Sequence, residues 1–157
     1  MISCPIAGVM VRELTLNQDG RGWLLELYRS DELKPELVPV MGYVSMTRPG
    51  VARGPHEHVH QADHFVFMGP STFRIYLWDR RAHSESSGHS WQIDAGEHRK
   101  VAMIVPPGVV HAYKNVGDQD GIVYNAPNRL YAGAGRREPV DEIRHEDDPR
   151  SPFRVDS

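Results

Sequence analysis

Glycine and proline interrupt this chain at short intervals, and no long segment places apolar residues at helical spacing. Between the interruptions lie about nine short runs of strand-forming residues. We predict strands at residues 9–16, 23–28, 41–47, 65–68, 72–79, 91–94, 101–105, 113–116 and 122–125. Because closing a sheet removes its exposed edges, this pattern favours an all-β sandwich or barrel with room inside for a small ligand.

Turn signals between these runs predict how the strands connect. Residues 65–68 and 72–79 flank Gly69-Pro70-Ser71, and we predict that they pair as a hairpin. Residues 113–116 and 122–125 are predicted to pair in the same way around residues 117–121. Shorter features are a turn at residues 17–20, a loop or single helical turn at 31–39, and a helical turn at 140–144.

The composition changes at about residue 126. Thirteen of the last thirty-two residues are charged, and four prolines there break any long element. We therefore predict one domain over residues 1–157, of which about 126–157 form a short, irregular and charged C-terminal extension.

The net charge of −3 argues against nucleic acid or an anionic membrane as the main partner, because such surfaces recruit clustered lysine and arginine. No apolar run reaches the ~18 residues that cross a bilayer, and the first residues lack the pattern of a signal peptide. The single cysteine, Cys4, cannot form an intrachain disulfide. We expect a cytoplasmic protein whose partner is a small molecule.

Residues 53–64 hold four of the nine histidines and an aspartate. Side chains alternate along a strand, so His56, His58 and His60 are predicted to share one face. Far along the chain, His111 follows the rigid turn Pro106-Pro107-Gly108. Together these stretches predict a site inside the barrel.

Both stretches resemble the motifs of the cupin superfamily. The first resemblance rests on Gly50, His56-x-His58, Asp63 and Gly69, and the second on Pro106-x-Gly108-x-x-His111-x-x-x-Asn115. This resemblance implies a double-stranded β-helix, the jelly-roll barrel of the cupins.

Within the cupins, the chain is similar to the dTDP-4-dehydrorhamnose 3,5-epimerase family. The matching motifs are Asp19-x-Arg21-Gly22-Trp23-x-x-Glu26, Arg53-Gly54-x-His56, Asp79-x-Arg81-x-x-Ser84 and the late segment 142–149. Tyr124 lies thirteen residues after His111, at that family's spacing for its general-acid tyrosine. The order of these motifs covers most of the chain.

The resemblance implies an isomerase that removes a proton next to the ketone of a 4-keto-6-deoxy sugar nucleotide, without a cofactor. His56 is then the base, Tyr124 the acid, and His111 a third member of the catalytic group. The implied substrate-binding residues are Arg21, Arg53, Glu26 and Gln61, with the arginines facing the diphosphate. Trp23 or Tyr43 could stack on the nucleobase. The family also pairs its N-terminal strands between subunits, which implies a homodimer.

Two departures open a second interpretation. The epimerases usually carry glutamine at the position of His58, and their late aspartate, which orients the catalytic histidine, has no clear counterpart here. Three imidazoles and a carboxylate can hold Fe, Mn, Ni, Co or Zn, and the ligand type alone does not choose among these metals. The candidate ligands are His56, His58, Asp63 and His111.

A metal-dependent oxygenase or isomerase is therefore the alternative to a cofactor-free epimerase. The two interpretations compete for His56, because a nitrogen whose lone pair binds a metal cannot also accept a proton. A third interpretation is a non-catalytic cupin that binds a small ligand. Loss of activity on chelation would favour the metal enzyme, and ligand binding without turnover would favour the binding protein.

Overall fold

Two five-stranded antiparallel sheets face each other in this structure, a computed structural model that describes residues 1–156. The strands are β1 Met10–Glu13, β2 Leu16–Asp19, β3 Gly22–Leu25, β4 Tyr43–Thr47, β5 Ala52–Glu57, β6 Asp63–Phe67, β7 Thr72–Asp79, β8 Ser90–Gly96, β9 Val101–Val105, β10 Val109–Asn115, β11 Gly121–Asn125 and β12 Ile143–Arg144. One sheet has the order β1-β9-β6-β11-β4 and the other β12-β5-β10-β7-β8, while β2 and β3 form a separate ribbon. The predicted all-β jelly-roll fold is confirmed.

The alternation of side chains along the strands places the core between the two sheets. Phe65 and Phe67 of β6 point inward and contact Tyr113 of β10, with ring centroids 5.8 and 5.5 Å apart. Val66, between them, packs on the outer face of the same sheet with Leu14. These two inward aromatic residues of β6 fill part of the interior between the sheets. The histidines of the site lie at the other, more polar part of the interior.

Neither predicted hairpin forms. β6 pairs with β9 and β11, whereas β7 pairs with β8 and β10, so the chain crosses from one sheet to the other at Gly69-Pro70. In the same way β10 and β11 lie in different sheets. Glycine and proline mark a sharp change of direction, but they do not distinguish a hairpin from a corner between sheets.

The predicted first strand, residues 9–16, is two strands. β1 pairs with β9, but β2 leaves that sheet and pairs with β3, residue Asp19 opposite Gly22. The predicted turn at residues 17–20 is therefore mostly strand, and the chain reverses at Gly20 and Arg21. The following strand is also shorter than the predicted 23–28.

The C-terminal extension adds a strand rather than the predicted helical turn at 140–144. Ile143 and Arg144 of β12 pair with the free edge of β5, because that edge offers unpaired backbone groups. Helical structure within residues 1–156 is limited to short 3-10 turns at Ser30–Glu32, Pro35–Leu37 and Ala134–Arg136. In this part of the chain no helix has the length and apolar character that a membrane crossing requires.

Candidate active site

A cavity of about 770 Å³ opens between the two sheets and the C-terminal extension. Its walls come from the inner faces of β4 and β5, from Tyr113 of β10, and from residues 127–146. His56 and His58 line it, while Asp63 and His111 are buried directly behind them. A volume of this size is typical of a site for a small organic ligand.

Strand pairing brings the distant histidines together. His56 of β5 lies opposite His111 of β10, and their ring centroids are 4.4 Å apart. Glycine at position 54 permits this close approach, because a Cβ there would come within 2.6 Å of the carbonyl oxygen of His111. The φ of +79° at Gly54 also favours glycine. The Arg53-Gly54-x-His56 motif therefore has a packing reason for its glycine.

Backbone carbonyl groups fix the orientation of two imidazoles. The Nδ1–H of His111 donates to the carbonyl of Val109 at 3.0 Å, and the Nδ1–H of His58 donates to the carbonyl of Asp141. Both Nε2 atoms then turn toward the carboxylate of Asp63, which lies 3.2 Å from His111 and 3.0 Å from His58. When the ring is neutral and donates through Nδ1, its Nε2 carries a lone pair.

Two amide side chains anchor Asp63. Its Oδ1 accepts hydrogen bonds from Gln61 Nε2 at 2.9 Å and from Asn125 Nδ2 at 2.8 Å. Asn125 also donates to the hydroxyl of Tyr43 at 2.8 Å, so that this tyrosine is tied to the same network. Neither Asn125 nor this role for Tyr43 was predicted. The sequence shows that side chains alternate along β4 and β11, but only the closed sheet shows which of them point inward.

Electrostatics set the two cavity histidines apart. Burial, followed by the neighbouring His111 and His58, lowers the pKa of His56 to about 2. Burial also acts to lower the pKa of His58, but the Asp63 carboxylate and Asp141 outweigh it and raise that pKa to about 9. The pKa of Asp63 is lowered, because its two histidine partners outweigh its burial. His56 is thus a neutral imidazole at the cavity wall.

The extension completes the site from the C-terminal end. The carboxylate of Asp141 accepts the backbone N–H groups of Val59, His60 and Gln61 at 2.8 to 2.9 Å, which orders the loop after β5. Glu142 and Glu146 place carboxylate oxygens 4.0 and 3.9 Å from His56 Nδ1. None of these roles was predicted, since the pairs are eighty or more residues apart, although Glu142 and Glu146 belong to the late segment 142–149 that resembles a family motif.

Outward-facing Glu57 holds the extension in place. It is buried, and it accepts Arg80 Nη1 at 2.5 Å and His145 Nε2 at 2.8 Å. The backbone N–H groups of His145 and Glu146 also donate to the carbonyl of Pro55. The segment that carries the two carboxylates is therefore bound to β5 itself.

The structure brings together most of the predicted site residues. His56, His58, Asp63 and His111 each offer a ligand atom, and these atoms all lie within 4.8 Å of one another. Arg53 and Gln61 line the cavity, where Arg53 donates to Thr47 Oγ1 at 2.9 Å and to the carbonyl of Met46 at 2.8 Å.

Two predicted substrate-binding residues lie away from this cavity. The side chain of Arg21 is 91% exposed at the tip of the β2–β3 ribbon, where it pairs with Asp19. Glu26 is also exposed, 3.9 Å from Arg29. His60, predicted to share a face with His56 and His58, lies beyond the end of β5 and is exposed, but it does line the cavity.

Tyr124 is on the opposite face of the sheet from His56. On β11, Val123 and Asn125 point inward, so Tyr124 points outward and packs with Leu25 and Leu27. The thirteen-residue spacing locates the residue along the chain, but the alternation along the strand decides its face. The structure thus does not place the expected general acid beside the base, and Tyr43 reaches the cavity instead.

Comparison with known proteins decides the family. The chain matches the dTDP-4-dehydrorhamnose 3,5-epimerase family over residues 3–147. It is also 41% identical to the probable low-salt glycan biosynthesis epimerase Agl13 of Haloferax volcanii over 128 residues, which are 80% of this chain and 81% of that protein. The chain belongs to the dTDP-4-dehydrorhamnose 3,5-epimerase family. The prediction of a sugar-nucleotide epimerase is confirmed.

Solved structures show that the fold is that of the epimerase family. The dTDP sugar isomerase of Desulfovibrio desulfuricans G20 superposes with a TM-score of 0.83 at 22% identity, over 98% of this chain and 94% of that one. The epimerase RmlC of Legionella pneumophila, in complex with dTDP-4-keto-L-rhamnose, superposes with a TM-score of 0.75 at 19% identity. That match covers 91% of this chain and 75% of the Legionella chain.

Proposed function

We propose that the chain epimerises a 4-keto-6-deoxy sugar nucleotide at a carbon next to its ketone, with His56 as the base. The observation that carries this proposal is the position of His56, whose imidazole lines the cavity and whose Nδ1 lies 4.0 and 3.9 Å from the carboxylates of Glu142 and Glu146. A neutral imidazole has a free lone pair for a proton. Family membership supplies the reaction type.

His56 takes the proton from the carbon beside the ketone, and the electron pair of that C–H bond forms an enolate. Glu142 and Glu146, about 4 Å from Nδ1 of His56, then face the imidazolium that has formed. Opposite charges at this distance stabilise each other in a partly buried site, although Arg144 also pairs with both glutamates. The two glutamates thus have the role of the late aspartate that orients the catalytic histidine in the epimerase family.

Tyr43 is the best placed acid for the return of a proton. Burial, together with the nearby Asp63, raises the pKa of its phenol to about 12, although the Asn125 hydrogen bond acts in the opposite direction, so the group stays protonated. Tyr43 is on β4 and His56 on β5, which belong to facing sheets. A sugar held between them meets the base on one face and the acid on the other, as inversion requires.

The diphosphate has arginines to bind. Arg53 of β5 and Arg129 and Arg136 of the extension all line the cavity, and a guanidinium matches phosphate oxygens in a bidentate way. Arg129 and Arg136 form no salt bridge within residues 1–156. Both can therefore turn to an anionic ligand without breaking an existing pair.

We further propose a homodimer that completes the site with Arg21. Trp23 and Leu24 of the β2–β3 ribbon are exposed, as are Val44 and Met46 on β4, which is the free edge of its sheet. An apolar ribbon and an unpaired edge strand are typical of surfaces that a second chain covers. In such a dimer the ribbon carries Arg21 to the cavity of the other subunit.

Exchange with heavy water tests the proposed reaction. Incubation with a dTDP-4-keto-6-deoxyhexose in D₂O should place deuterium next to the ketone, detected by mass spectrometry and NMR. His56→Ala should abolish the exchange, while His83→Ala, which alters an exposed histidine, should leave it intact. Exchange that persists at the wild-type rate in His56→Ala would contradict the assignment of the base.

A further inference from the structure

Three buried side chains beside His56 converge on one point. We propose that His58, Asp63 and His111 bind a divalent first-row transition-metal ion and leave His56 free as the base. The inference rests on the proposed function for the role of the ion, but the ion-binding site itself does not depend on it.

The distances between the ligand atoms fit a metal centre. Asp63 Oδ2 lies 3.0 Å from His58 Nε2 and 3.2 Å from His111 Nε2. Ligands about 2.1 Å from a metal ion and 90° to 109° apart are separated by about 3.0 to 3.4 Å. Both separations fall in this range, and the ligand atoms of the cluster all lie within 4.8 Å of one another.

Two of the three atoms that meet here lack other partners, whereas His58 Nε2 also lies 3.3 Å from Gln61 Nε2. Asp63 Oδ2 and His111 Nε2 are buried, and within residues 1–156 neither has a hydrogen-bond partner while the histidines carry their hydrogen on Nδ1. The side chains of Asp63 and His111 are only 1% and 3% exposed. Unpaired acceptors that face each other in a buried space are costly, and a cation between them removes that cost. A proton between His58 and Asp63 would still leave the lone pair of His111 unpaired.

The surroundings orient the three ligands as protein metal sites usually do. Backbone carbonyl groups of Val109 and Asp141 hold the Nδ1–H groups of the two histidines. Gln61 and Asn125 hold the other oxygen of Asp63. A fixed tautomer and a hydrogen-bonded carboxylate are the regular outer partners of metal ligands.

His56 has different surroundings from these three residues. It is the most exposed member of the cluster, at 16%, and its Nδ1 faces Glu142 and Glu146 rather than Asp63. Two histidines and one carboxylate already suffice for a divalent ion with open positions. The ion would supply positive charge for the enolate oxygen, while the proton goes to His56 and the C–H electron pair to the new double bond.

Cobalt titration tests the site without any substrate. Tag-free protein, stripped with a chelator and dialysed, should bind about one equivalent of Co²⁺ per chain and develop the visible absorption of a nitrogen-ligated ion. Asp63→Asn, His58→Ala and His111→Ala should weaken binding by about 100-fold or more, since even outer partners of metal ligands contribute 10-fold to 100-fold. His56→Ala and the control His83→Ala should bind Co²⁺ like the wild type. Circular dichroism and thermal unfolding check that each variant is folded.

The outcomes separate the two proposals. Wild-type protein that takes up less than about 0.2 equivalent of Co²⁺ overturns the metal site, as does a loss of binding in His56→Ala equal to that in His58→Ala. If wild-type protein binds no Co²⁺ but still exchanges deuterium, the metal site is contradicted and the epimerase proposal stands. Stoichiometric Co²⁺ binding without exchange on keto sugar nucleotides would support the site and contradict the proposed reaction.

Discussion

His56 and His58 share one face of the chain, yet their neighbours give them opposite protonation. His111 and His58, added to burial, keep His56 neutral, whereas Asp63 and Asp141 keep a proton or another cation at His58. Two histidines only two positions apart in the sequence thus have different roles, His56 as a base and His58 as a group that binds a cation. The chemistry of such a pair is set by what the fold packs against each ring.

Tyr43 and Tyr124 allow a direct test of which tyrosine returns the proton. Tyr43→Phe should lower the rate of product formation by about 100-fold or more, because it removes the only hydroxyl that the Asn125 network presents to the cavity in residues 1–156. Tyr124→Phe should keep wild-type activity, since its ring packs on the outer face with Leu25 and Leu27. Steady-state kinetics on the keto sugar nucleotide would measure both. A loss of activity in Tyr124→Phe alone would restore the assignment made from spacing.

The site was partly predictable from local patterns. His56 and His58 were expected on one face because a strand alternates, and the Pro-Pro-Gly turn before His111 marked a second contributor. Asp141 and Glu142 were not predictable, because they reach the site only after β12 pairs with the edge of β5. Pairing over eighty residues leaves no trace in the spacing of either segment.

At the scale of elements, the loop after β7 is organised by one carboxylate. Buried Asp79 accepts hydrogen bonds from the backbone and guanidinium of Arg81 and from the hydroxyls of Ser84 and Ser86, the last two at 2.6 Å. This network lowers the pKa of Asp79, against the opposing effect of burial. The Asp79-x-Arg81-x-x-Ser84 motif therefore has a structural role in residues 79–86.

Asp79→Asn should destabilise the protein by about 1.5 to 3 kcal/mol at pH 7, because hydrogen bonds to a charged group are lost. A lowered folded-state pKa means that this stability is fully present above the unfolded value of about 3.9 and is lost progressively as the pH falls from that value through the folded-state pKa. The difference between wild type and variant should therefore shrink at pH 3, as measured by urea unfolding. Asp94→Asn, which alters an exposed pair with Arg74, is the control and should change little. If the stability difference between wild type and Asp79→Asn were as large at pH 3 as at pH 7, the negative charge of Asp79 would not be its source.

The loop after β5 depends on a single residue of the extension. Asp141→Ala frees three backbone N–H groups of residues 59–61 and should lower activity by about 10-fold to 100-fold, because His58 and Gln61 lose their fixed positions. The unfolding free energy should fall by only about 1 kcal/mol, since this loop is outside the core. Kinetics and urea unfolding, compared with Asp147→Ala at an exposed position, would separate the two effects. Equal losses in both variants would contradict a specific role for Asp141.

The extents of most strands were predictable, but their partners were not. Runs such as residues 72–79 and 101–105 agree with β7 and β9, since apolar and aromatic residues there stand out from the turns around them. The two predicted hairpins were wrong because a jelly roll sends successive strands to opposite sheets. A turn reports that the chain changes direction, and only the closed core decides which sheet it joins.

At the scale of the whole molecule, a dimer with a shared site makes a quantitative prediction. His56→Ala and Arg21→Ala should each be inactive or weak alone, but unfolding and refolding them together should restore about one quarter of wild-type sites. Random pairing makes half of the dimers mixed, and each mixed dimer has one cavity with an intact base and an intact arginine from the other subunit. Light scattering would establish the dimer, and kinetics the recovery. A mixture that stays as weak as its components would contradict the shared site.

The C-terminal extension forms much of the cavity wall but contributes little to the hydrophobic core. None of residues 129–142 is buried, although this segment provides much of the cavity wall. Substitutions and length changes there can alter the shape and charge offered to a sugar without disturbing the aromatic core. Changes in residues 129–140 can therefore alter which sugar the cavity accepts, while the barrel, its histidines and Asp141 stay the same.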